Sequence, residues 1–110
     1  MNAMKNTVQL IGNVGNDPEI KNLDGGKKVA NLTIATNDSY KNDKGEKVEQ
    51  TEWHKVVAWG KTAEIIEKFV TKGKEIAIEG KLTHRSYDDK NGEKRYITEV
   101  VANEVLLLGN

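Results

Sequence analysis

No cysteine occurs in the 110 residues. That excludes a disulfide framework, a cysteine-ligated zinc site and a thiol nucleophile. No apolar run approaches the roughly 18 residues that cross a bilayer, and no charged-then-apolar leader opens the chain. A soluble protein of the bacterial cytoplasm, without a membrane partner, is the expectation. Neither sign of charge is in excess: 17 Lys and Arg balance 17 Asp and Glu. This counts against a nucleic-acid binder that works by bulk charge, so any such role needs cations gathered on one face. Histidine is scarce. His54 and His84 stand thirty residues apart with no metal-ligand spacing. The acid pair Asp88-Asp89 lies in a turn sequence beside Lys90. The expectation is therefore no enzyme: no catalytic residue, no metal and no cofactor. At this length the chain forms one domain with one modest core.

What the chain does have is concentrated in Gln50-Thr51-Glu52-Trp53-His54-Lys55-Val56-Val57-Ala58-Trp59-Gly60-Lys61. Both tryptophans are here. A β-strand sends alternate side chains to opposite faces, which puts Thr51, Trp53, Lys55, Val57 and Trp59 on one side. Glu52, His54, Val56 and Ala58 take the other. Rings interleaved with cations are what an unpaired nucleic-acid strand needs, since bases stack on rings and phosphates pair with lysines. The alternative is that both indoles are core, because tryptophan is highly buried on average. Lys55 on the same face weighs against it, since buried lysine is rare unless paired.

Along the chain, Met1-Asn2-Ala3-Met4 reads as a loose end without a role. Residues 5–14 alternate as a strand, with Val8, Leu10 and Val14 on one side and a bend expected at Gly12. The only proline, in Asn16-Asp17-Pro18, marks a turn, and Asp24-Gly25-Gly26 marks a hairpin. Residues 28–37 form a second strand with Ala30, Leu32 and Ile34 inward. The polar stretch 37–47 reads as a solvated hairpin loop or as an arm carrying Tyr40 over a ligand. After the third strand, residues 62–70 have helical spacing. Thr62 is the expected N-cap, Ile65, Ile66 and Phe69 the apolar positions, and Gly73 the stop. Residues 74–87 alternate again, with Lys81, Arg85 and Tyr87 outward. A turn around Asn91-Gly92 leads to a last strand over 94–108, bringing Arg95 near Arg85 and Tyr87. The run 105–108 is apolar on both faces, which suggests burial against something beyond its own barrel. Five long strands with hairpin connections and one helix between the third and fourth predict an all-β Greek-key barrel of the OB type. A β-sandwich, or an open sheet carrying one helix, is the alternative.

Several spaced motifs give the chain a family resemblance: Gly12-Asn13-Val14-Gly15 followed by Asp17-Pro18-Glu19, Val29-Ala30-Asn31, the block 49–57, Gly60-Lys61, Lys72-Gly73, Ile78-Glu79-Gly80, and Arg95-Tyr96 with Thr98-Glu99-Val100. Over residues 4–109 it resembles the oligonucleotide-binding domain of bacterial single-stranded DNA-binding proteins. The resemblance implies an OB-fold domain over 5–110 that binds single-stranded DNA without chemistry, in replication, recombination and repair. It implies a homotetramer. It also implies base stacking at Tyr40, Trp53, Trp59 and Tyr87, where the family often has tryptophan at the first and fourth positions and phenylalanine at the third. The matching basic positions for phosphate are Lys55, Lys61, Lys72, Arg85 and Arg95. His54 falls where the family places an inter-subunit contact, although a satisfied barrel histidine is the other reading. Family members usually continue into a flexible linker and an acidic tip that recruits replication and repair proteins. That recruitment is not expected of these 110 residues, which end at Leu108-Gly109-Asn110.

Overall fold

The computed structural model describes residues 3–109. A short 3-10 turn (Ala3–Lys5) leads into β1 (Val8–Val14), β2 (Glu19–Leu23), β3 (Lys27–Lys41), β4 (Lys47–Trp59), α1 (Gly60–Phe69), β5 (Glu75–Asp88) and β6 (Lys94–Leu107). Of the expected loose end, Met1 and Asn2 lie outside the described residues, and Ala3 and Met4 belong to the turn.

The sheet closes on itself. Its order is β1-β5-β6-β4-β3-β2, and β1 also bonds to β3. β1 pairs with β5 from Val8 to Asn13 and reaches β3 through Asn13 and Val14. Gly12 sits at this corner. A Cβ there would lie 2.2 Å from the carbonyl oxygen of Ala35, so only glycine admits the crossing. β2 continues along the same side of β3, pairing Glu19–Leu23 with residues 27–31. β1 and β2 are thus one barrel strand broken at the proline, which cannot donate to a ladder. The result is a five-stranded barrel of the predicted OB type. α1 lies between β4 and β5, the third and fourth strands of the five.

Alternation explains the core. Ala30, Leu32 and Ile34 of β3 meet Val56 and Ala58 of β4, Ile76 and Ile78 of β5, and Val100 and Ala102 of β6. The helix adds Ala63 and Ile66, with Val70 just beyond its end. Of the expected apolar positions Ile65, Ile66 and Phe69, only Ile66 faces the barrel: it belongs to the stripe 63, 66 and 70, while 65 and 69 lie on the neighbouring stripe. Ile65 and Phe69 are exposed. Thr62 is not the N-cap: the helix begins at Gly60 behind an extended Trp59 with no side-chain cap, and Thr62 Oγ1 donates to the carbonyl of Asn103 at 3.3 Å. Nor does Gly73 end the helix, which stops at Phe69 with an extended Val70 as C-cap.

The stretch 37–47 is mostly strand rather than loop. β3 and β4 stay paired out to Lys41 and Lys47, leaving a turn of residues 42–46. β5 and β6 likewise pair out to Asp88 and Lys94. Both turns have one construction. Asn42 Oδ1 accepts from the amides of Lys44 and Glu46, and Asp89 Oδ1 accepts from those of Asn91 and Glu93. The amides of Asn42 and Asp89 also donate to the carbonyls of Glu46 and Glu93, which leaves three-residue tips at 43–45 and 90–92, and Gly45 and Gly92 supply the positive φ such a tip needs.

Candidate nucleic-acid interface

The outer side of β4 carries Trp53, Lys55, Val57 and Trp59, opposite Ala35, Thr33, Asn31 and Val29 of β3. Trp53 is 63% exposed and Trp59 47%. Neither indole is core, although Val57 between them is covered. Trp53 has a prepared seat. A Cβ on Gly15 would lie 2.4 Å from Trp53 Cζ3 and 2.7 Å from Thr33 Oγ1, so the ring rests where that side chain is missing. The seat is fastened in turn. The Gly15 amide donates to the Thr33 carbonyl at 2.9 Å, and Asn16 Oδ1 accepts from both the amide and the hydroxyl of Thr33.

Parallel pairing of residues 56–58 with 100–102 sets β6 beside β4. The antiparallel register then brings β5 alongside, with Thr83 across from Glu99, Arg85 from Ile97 and Tyr87 from Arg95. A cleft of about 260 Å³ opens among Asn16, Asn31, Thr33, Lys55, Arg85 and Glu99. The structure therefore brings Lys55 and Arg85 into one cleft, next in line from Trp53, with Tyr87 two positions further along β5. Tyr87 is 45% exposed.

Other expected residues stand apart. Tyr40 is half-exposed near the tip of the β3–β4 hairpin, across from Val48, and alternation places it on the opposite face from Trp53. Lys61 is exposed in the first turn of α1, two residues after Trp59. Lys72 is exposed between α1 and β5, and its amide donates to Asp17 Oδ1 at 2.9 Å. The two arginines are not bare cations. Arg85 Nε donates to Glu99 Oε1 at 2.8 Å. Arg95 Nε donates to Asp89 Oδ2 at 2.9 Å, and its Nη2 lies 3.7 Å from a Glu93 carboxylate oxygen. The amide of Glu93, the Arg95 guanidinium and the amide of Asn91 together hold the Asp89 carboxyl below its usual 3.8. His54 is on the inner face and half-buried, its Nε2 2.9 Å from Thr36 Oγ1.

Sequence reasoning gave Gly15, Asn16 and Glu99 no part in the site, although Gly15 and Glu99 stand in its motifs. A charged residue amid Val100, Val101 and Ala102 was the one available signal for Glu99. Nothing local marks Gly15 as a seat for a ring 38 residues away.

Residues 5–108 match the model of the Single-strand binding protein family. The chain belongs to this family. Single-strand binding relatives include Single-stranded DNA-binding protein 1 of Chlorobaculum tepidum, 47% identical over 105 residues, covering 94% of this chain and 65% of the relative. Single-stranded DNA-binding protein 1 of Xylella fastidiosa is 46% identical over 108 residues, covering 97% of this chain and 79% of the relative. The chain thus spans just under two thirds of the length of the first of these relatives. Among solved structures, a Plasmodium falciparum SSB in complex with ssDNA superposes with a TM-score of 0.88 at 32% identity, covering 94% of this chain and 95% of that one.

Proposed function

We propose that this family member binds single-stranded DNA without sequence preference and without chemistry, protecting unpaired strands during replication, recombination and repair. The observation that carries the reading is the pair of exposed indoles on one barrel face with Lys55 between them. Every base has a π-face, so Trp53, Trp59 and Tyr87 stack any sequence. Tyr40 lies on the other face of its hairpin, so it stacks a base only where the strand passes around the tip, and Lys55, Lys61 and Lys72 meet phosphates. The test is anisotropy of a labelled oligo-dT with two variants. Trp53→Ala costs about 1–3 kcal/mol of binding, the scale of one stacked base, while Lys41→Ala costs much less. Equal losses in two folded variants would remove stacking as the main contribution.

The protein assembles with copies of itself, into a tetramer as the family resemblance implies. Two surfaces support this. Ile11, Ala77 and Leu106 form an apolar row across β1, β5 and β6 beside Ile65, with Ile11 and Leu106 each more than 60% exposed. The second is the surroundings of His54, where the resemblance puts an inter-subunit contact: it lines a cleft with Leu82 and Tyr96 that borders Trp53 and Lys55 of the strand-binding face. Sedimentation with and without long oligo-dT reads both assembly and binding; a monomer at all concentrations would contradict self-association. No helix among the described residues is long and apolar enough to cross a membrane, and the bacterial cytoplasm is the proposed location.

A further inference from the structure

The cleft beside Trp53 is formally neutral: Lys55 and Arg85 face Glu19 and Glu99 across it. Glu99 is the one buried charged residue among those described, 9% exposed, and its oxygen takes the Nε hydrogen of Arg85 at 2.8 Å. Its strand is pinned there, with Thr83 Oγ1 donating to the Glu99 carbonyl at 3.3 Å. Arg85 itself stays 55% exposed. We infer that Glu99 is a positioning residue of the strand-binding face: it holds Arg85 by the Nε edge and cancels its charge, so that Arg85 offers a guanidinium plane to a base and no net cation to the phosphates. This rests on the single-stranded DNA reading given above.

The energetic reason is asymmetry of burial. A carboxylate this enclosed loses heavily if its cation leaves, whereas an exposed arginine gains only a screened contact by moving to a phosphate. The pair therefore stays together when a strand is bound. A phosphate near Arg85 meets the Glu99 charge behind it. A planar guanidinium fixed at one edge remains free to stack, which arginine does well on flat rings.

The test is the slope of log K against log salt for oligo-dT, measured on the wild type, Glu99→Gln and Arg85→Gln/Glu99→Gln. Each cation newly presented to a single strand steepens that slope by about 0.7. Glu99→Gln should bind several-fold more tightly at low salt, with a slope about 0.7 steeper. The double variant should bind more weakly, having lost the guanidinium plane, yet keep the wild-type slope. An unchanged slope for Glu99→Gln, or a double variant about 0.7 shallower, would show that Arg85 already serves as a phosphate partner and would overturn the inference. The double variant decides this alone if the single variant does not fold. A wild type that binds no oligo-dT would overturn the single-stranded DNA reading itself, which distinguishes the two failures.

Discussion

A methyl group on Gly15 has no room between the Trp53 ring and the Thr33 hydroxyl, so the position of the most exposed indole depends on a residue that contributes no contact surface of its own. Gly15→Ala should lift the ring off its seat and cost on the order of 1 kcal/mol of oligo-dT binding, the lower end of the stacking scale. The check is titration calorimetry beside a thermal melt. Weakened binding with a melting point near that of the wild type fits the seat. Unchanged binding would mean the indole finds an equivalent position without it. At this scale the sequence was informative where chemistry was local. The alternation of Trp53, Lys55 and Trp59 was enough to put rings and cation on one face. It did not show the partner of Glu99, because that carboxylate is paired through the β5–β6 register with a residue 14 positions away. It was equally silent about the Arg95 pairing with Asp89, which exists only once the hairpin turn has formed.

The two hairpins and the helix show where periodicity stops being readable. Inside the barrel, one face of each strand is wet and the other dry, and Ala30, Leu32 and Ile34 alternate accordingly. Beyond Thr36 both faces of the β3–β4 ribbon meet solvent, so its residues, the Tyr40–Val48 pair apart, are polar and resemble a loop. The helix start was obscured because Trp59 offers no capping oxygen, and its inner stripe because two adjacent stripes are both apolar. The hairpin tips differ in one testable way. Asp89 is held below its ordinary pKa when folded, so its contribution is present above about pH 3.8 and is lost as pH falls through the lower folded value. Acid titration followed by amide chemical shifts should loosen the turn at Asn91 and Glu93. The matching turn built on Asn42, whose amide does not titrate, should hold. Simultaneous loosening of both would point to general unfolding instead. The barrel corner carries a separate expectation. Gly12→Ala forces a Cβ against the Ala35 carbonyl and should cost about 1–3 kcal/mol. That lowers the melting temperature by about 10 °C in a domain of this size, and an unchanged melt would contradict the close crossing.

As a whole, the molecule combines a small closed core with a surface that has no net charge. Ile66, fully buried where the helix plugs the barrel, joins helix to sheet. Ile66→Ala should cost about 2–5 kcal/mol, a large part of the roughly 5–15 kcal/mol that a domain commands, and denaturant melts measure it directly. Neutrality has a consequence for binding. Because the cleft beside Trp53 holds two carboxylates for its two cations, stacking on exposed rings should carry most of the affinity, and salt should weaken the complex without abolishing it. Both tryptophans of the chain lie on that face, so their own emission reports on the central claim. Titration with unlabelled oligo-dT at low salt should quench tryptophan fluorescence saturably, with partial recovery as salt is added. Emission that stays constant through the titration would contradict the account.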